Sequence, residues 1–173
     1  MLDLNIITAL QVPEGNIAQI SIGDNVIWTK PEQMVYLFKD GDQYTDITGG
    51  WRYSTSFYYD SNNSNKGTVN IGTTITCKTS TGQCAFATTQ NKIDLTKYKN
   101  IIVTATDAGS KPCEIALTAS TGSVKGRAVA CMKISLGENI LPIPTDLTEP
   151  YYICVGTAGG ETVVVTSVAL EKK

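Results

Sequence analysis

The stretch Ile101-Ile102-Val103-Thr104-Ala105-Thr106 decides the fold. Its odd positions are uniformly apolar while its even positions turn to threonine, the alternation of a strand with one face on a core and one nearer water. The same β-rich composition marks strands over Thr68 to Cys77, Cys84 to Thr89, Asn100 to Asp107, Cys113 to Ser120, Arg127 to Ser135, Tyr151 to Val155 and Thr162 to Leu170. Gly, Asn, Asp, Ser or Pro clusters separate them. Val163, Val165 and Ala169, interleaved with Val164, Val168 and Leu170, are apolar on both faces, so the last strand is expected at the centre of its sheet. No stretch carries apolar residues at three-and-four spacing for several turns. Many short strands and almost no helix mean an all-β sandwich or barrel.

The 173 residues suffice for one sizeable core and not for two ordinary domains. Residues 1–30 read as a strand and a hairpin: Asn5 to Val12, a Pro-Glu-Gly turn, Ile17 to Ile22, a Gly-Asp-Asn turn and Val26-Ile27-Trp28. So short a unit cannot bury enough apolar surface alone, so Ile17, Ile20, Ile22, Val26 and Trp28 are expected to pack on the main domain or on another chain. Residues 31–33 are the expected linker and residues 34–173 the main domain.

Fourteen Lys and Arg against sixteen Asp and Glu give a net charge of -2, without the positive field that nucleic acid or an anionic membrane surface requires. No run has the length of a membrane-spanning helix. The chain has no histidine, which excludes Ser-His-Asp and Cys-His catalysis and His-ligated metal sites. No carboxylate pair is singled out for acid-base work, so no catalytic residue is assigned and the protein is expected not to be an enzyme. The five cysteines are scattered and odd in number, against a zinc site or a complete disulfide framework. Cys77 and Cys84 are the one pair that a hairpin could bring face to face; the reduced state is the first reading.

Two segments could bind ligands. Trp51-Arg52-Tyr53-Ser54-Thr55-Ser56-Phe57-Tyr58-Tyr59-Asp60 precedes the polar loop Ser61-Asn62-Asn63-Ser64-Asn65-Lys66. Flat rings beside amide and carboxylate groups are what a sugar site needs, so Trp51, Tyr53, Tyr58, Tyr59, Asp60, Asn62 and Asn63 are the glycan-binding candidates. The competing reading makes Trp51, Tyr53 and Phe57 core residues, since alternation puts them on one strand face with Tyr59, and Tyr58 on the other. Asp40, Asp42 and Asp46 put three carboxylates in one loop, as calcium would require, but without EF-hand spacing, and Asp-Gly is first of all turn chemistry. No other cofactor is indicated.

Two further stretches carry a resemblance. Val12-Pro13-Glu14-Gly15 followed by Ile17, Ile20 and Asn25-Val26-Ile27-Trp28 resembles a short N-terminal module of bacteriophage and prophage tail proteins. The remainder, with Ile47-Thr48-Gly49-Gly50-Trp51, Ile93-Asp94-Leu95-Thr96-Lys97-Tyr98, Tyr152-Ile153-Cys154-Val155 and Val163 to Leu170, is similar to the carbohydrate-binding-module-like jelly rolls that such proteins carry. The resemblance implies a jelly-roll-type antiparallel β-sandwich behind a small hairpin, in a non-enzymatic, structural tail or fibre component that binds host-surface glycan. Its partners would be other tail proteins and copies of itself, a trimer being the specific expectation. A start with an acid at Asp3 and no base before Lys30 does not read as a secretory signal, in keeping with a virion protein made in the bacterial cytoplasm. The alternative is a stand-alone carbohydrate-binding module, which would need no assembly hairpin.

Overall fold

A computed structural model describes residues 19–22, 25–29, 33–54, 66–109, 113–119 and 128–173. The chain divides into two compact units, Met1–Glu32 and Gln33–Lys173. In the first, β1 (Gln19–Ile22) and β2 (Asn25–Thr29) pair antiparallel, a hairpin with an irregularity after Ile20.

The second unit is a sandwich of two antiparallel sheets. Its elements in order are β3 (Met34–Lys39), α1 (Thr45–Thr48), β4 (Trp51–Ser54), β5 (Thr68–Ile71), β6 (Ile75–Lys78), β7 (Cys84–Thr89), β8 (Tyr98–Ala108), β9 (Cys113–Thr118), β10 (Ala128–Lys133), β11 (Gly137–Pro142), β12 (Tyr152–Ala158) and β13 (Thr162–Lys172). One sheet runs β10-β9-β12-β7-β4 and the other β11-β8-β13-β6-β5. Among β6 to β13, only β9 and β10 are successive strands in the same sheet; every other connection crosses the sandwich. The resulting orders, β6-β13-β8-β11 facing β7-β12-β9-β10, are those of a jelly roll.

β13 lies at the centre of its sheet, as its two-sided apolar pattern requires. β8 flanks it on one side; on the other, β6 pairs with Thr162 to Val165 and β3 with Ser167 to Glu171, end to end. Between the sheets, Val163, Val165, Val168 and Leu170 of β13 and Ile101, Val103 and Ala105 of β8 meet Ile115 and Leu117 of β9 and Ile153 and Val155 of β12. At about 25 cal/mol per Å² of apolar surface, this shared layer is the main source of stability.

The stretch from Thr68 to Cys77, expected as one strand, is instead the hairpin β5-β6, folded about Gly72 to Thr74 with Ile71 opposite Ile75. The Gly72 amide donates to the Thr74 carbonyl. Ile71 before the glycine and Thr73 and Thr74 after it disguised the turn, because their β propensity reads as continuous strand. β3 and β11 are strands that the alternation test did not select.

On the outer face of the five-stranded sheet, Phe86, Ala116 and Cys154 form a smaller buried cluster. Phe86 lies opposite Gly156, and a Cβ at that glycine would run into the Phe86 ring. The missing side chain makes room for the aromatic one.

Candidate functional site

Of the glycan candidates, Trp51 and Tyr53 lie on β4, where β7 sets them opposite Thr89 and Ala87. The Trp51 indole points inward, is only 4% exposed, and meets Phe38 edge-on at 6.4 Å between centroids. Its Nε1 donates to the Leu37 carbonyl at 2.9 Å. This corrects the glycan assignment of Trp51: both the ring and its one donor are committed to the core. Tyr53, on the same face, is half-buried, and burial, with Cys84 and Cys77 nearby, pushes its phenol pKa up. Arg52 between them points to the opposite face and is exposed. Tyr58, Tyr59, Asp60, Asn62 and Asn63 lie outside the described residues.

The acidic loop is built as a turn. Lys39 and Asp42 exchange two backbone hydrogen bonds, Lys39 N to Asp42 O at 3.0 Å and Asp42 N to Lys39 O at 2.9 Å. The Asp42 carboxylate accepts the Tyr44 amide at 3.0 Å. No three His, Cys, Asp or Glu side chains among the described residues converge as a metal set would. Of the three calcium candidates, Asp40 and Asp42 lie in this turn, where the Asp42 carboxylate caps the Tyr44 amide, and Asp46 belongs to the exposed turn of α1.

Cys77 and Cys84 do not form a disulfide. They sit on β6 and β7, which belong to opposite sheets rather than to one hairpin. Burial raises the Cys77 pKa to about 12, and that of Cys154, whose thiol bonds Thr88, to about 11. Protonated, enclosed thiols like these are poor nucleophiles. Among the carboxylates, hydrogen bonds from the Thr96 amide and hydroxyl lower the pKa of Asp94, and those from Asn100 and Lys99 lower that of Glu171. A general acid near neutral pH needs the opposite shift.

Sequence reasoning missed the constellation that the loop creates. Tyr36 points to the outer face of the six-stranded sheet, opposite Ala169, which pairs in turn with Ile102 and then Ile140. This row crosses four strands over about 14 Å at ordinary strand spacing. Ile140 at one end is 47% exposed and Tyr36 at the other is half-buried, while Ile102 and Ala169 are sunk between them. Polar rows flank it: Glu138, Thr104, Ser167 and Lys39 on one side, Asn100 and Glu171 on the other.

At the Tyr36 end, the Lys39 ammonium stands 4.5 Å from the ring centroid and the Tyr44 ring lies 6.2 Å away, tilted by 30°. Tyr44 holds φ 43° and ψ 58°, a left-handed conformation that costs a side-chain-bearing residue about 1–2 kcal/mol. Several hydrogen bonds hold it there. Its amide donates to Asp42, and its carbonyl accepts the Ile47 and Thr48 amides and the Thr48 hydroxyl, each at 3.1 Å. Among the described residues neither phenol hydroxyl has a hydrogen-bond partner and Lys39 has no acidic one. Alternation in Met34-Val35-Tyr36-Leu37-Phe38-Lys39 would put Tyr36 on the face of buried Phe38; the register shift opposite Val168 and Ala169 turns it outward, and nothing local announced that or Tyr44 beside it.

No protein family, curated protein or solved structure matches this chain.

Proposed function

We propose that this chain is a non-enzymatic component of a bacteriophage or prophage tail or fibre, made in the bacterial cytoplasm and ending in the virion. Its hairpin unit serves assembly with other tail proteins and with copies of itself, as a trimer. Its jelly roll displays a surface for host glycan. The observation that carries the reading is the jelly-roll strand order behind a separate hairpin unit. That architecture is used by virion and lectin domains alike, and it supports a displaying and binding role. Fold alone does not assign function, so the sequence resemblance and the missing histidine carry the remainder.

The test is the native mass of the full chain in solution, beside a chain starting at Gln33, followed by a glycan array on the full chain. Self-association that is lost with the first 32 residues, together with glycan retention, is expected. Two monomers would remove the assembly role, and a monomer that retains glycan would be a stand-alone carbohydrate-binding module. Protein-dependent release of reducing sugar from bacterial polysaccharide, abolished by one Asp→Asn change, would overturn the non-enzymatic assignment.

A further inference from the structure

The geometry points to the Tyr36 and Tyr44 rings, with Lys39, as a binding site for a neutral pyranose unit of a glycan. The inference rests on the glycan reading above and moves the site from the 51–63 segment to the outer face of the six-stranded sheet.

Three observations combine. Two tyrosine rings stand 6.2 Å apart on the surface, each only part-covered, which offers flat apolar area for the C–H face of a sugar ring. Their hydroxyls and the Lys39 ammonium have no hydrogen-bonding or acidic partner among the described residues, so polar groups that can meet sugar hydroxyls border that area. The loop also holds a large aromatic residue at φ 43°, where Gly or Asn would sit without the same penalty. Folding has no evident need for a tyrosine there, since Tyr44 lies outside the buried core and an asparagine could make the same backbone bonds. Strain maintained by surrounding bonds at a part-covered ring is a feature that clusters at ligand sites.

Charge selects the class of sugar. Lys39 is the one cation between residues 39 and 46, against Asp40, Asp42 and Asp46. An acidic sugar or a phosphate-linked polymer would meet net repulsion, whereas a neutral ring can use ammonium, hydroxyl and carboxylate together. The apolar row toward Ile140 offers a direction in which a longer chain could extend.

The experiment measures binding of the full chain to neutral hexose and N-acetylhexosamine oligosaccharides, with uronic-acid and glycerol-phosphate polymers alongside. Two variants are compared: Tyr36→Thr, which keeps strand propensity without the ring, and Tyr44→Asn, which suits the left-handed backbone. The wild-type chain should retain neutral oligosaccharides, and each variant should weaken retention by at least about tenfold while its circular dichroism and melting temperature hold. Folded variants that bind like the wild type would overturn this site and leave the glycan reading standing. Retention of only the anionic polymers would overturn the sugar class, and no retention by the wild type would overturn the site and the glycan reading together. If either variant fails to fold, Tyr36→Phe and Tyr44→Phe take their place: a severalfold loss from removing the hydroxyls is expected, and undiminished binding by both overturns the proposal.

Discussion

The Trp51 indole nitrogen donates to the Leu37 carbonyl at 2.9 Å, and the two residues belong to opposite sheets of the sandwich. The bond passes through the interior beside Phe38, so it pins the start of β4 against β3 and closes one end of the core. The Trp51 amide is held as well, donating to the Gln43 side-chain oxygen at 2.8 Å. An aromatic residue that by composition suits a sugar site is thereby a fastening between layers.

Trp51→Phe should cost about 1–2 kcal/mol through the lost hydrogen bond, and Trp51→Ala about 3–5 kcal/mol through the cavity as well. Urea unfolding of the two variants checks the order. Where the protein stays folded, glycan retention should be unchanged; a selective loss of retention would return Trp51 to the binding site.

The thiols should separate sharply. Cys131 is exposed and should react with a disulfide reagent in the native protein, while Cys77 and Cys154 should wait for unfolding. Their folded pKa values, about 12 and about 11, lie above the ordinary 9.0. Below pH 9 both states keep these protons and stability is unaffected by them. Above it the unfolded thiols ionise first, so the unfolded state binds fewer protons and stability falls as pH rises toward the folded values. Denaturation midpoints across that window in the wild type, compared with Cys77→Ala and Cys154→Ala, would show the slope, which should be shallower in each variant.

Asn139 should prove a structural polar residue. Almost fully buried, it accepts the Ser135 amide at 2.8 Å and donates to the carbonyls of Ser135, Gly137 and Val103 at 2.8, 3.0 and 3.2 Å. Asn139→Leu keeps the bulk but strips these partners, at a cost of about 2–3 kcal/mol. Asn139→Asp keeps the acceptor and loses the donors. Both should lower the urea midpoint; a midpoint equal to the wild type would mean that water replaces the amide freely.

The candidate site was legible only in part. Aromatic clustering drew attention to Trp51 and Tyr53, yet an inward and an outward ring have the same letters, and burial distinguishes them only once β7 and β3 are in place. Cys77 and Cys84 looked like hairpin partners because sequence distance is visible and sheet membership is not. The turn at Asp42 is legible in the sequence, since an Asx turn is a contact between residues two apart.

What the sequence determined by itself is the set of local facts: alternation in Ile101 to Thr106, apolarity on both faces of Val163 to Leu170, and breakers between strands. Each follows from the two-residue period of an extended chain and needs no knowledge of partners. The pairing was decided only by the tertiary structure. Whether Thr68 to Cys77 runs straight or turns at Gly72, and which sheet receives β6 and which β7, depend on strands distant in the chain burying a common core. That burial is collective and non-directional, so it chooses among many locally acceptable registers by the sum of their contacts, a quantity that no single stretch of residues contains.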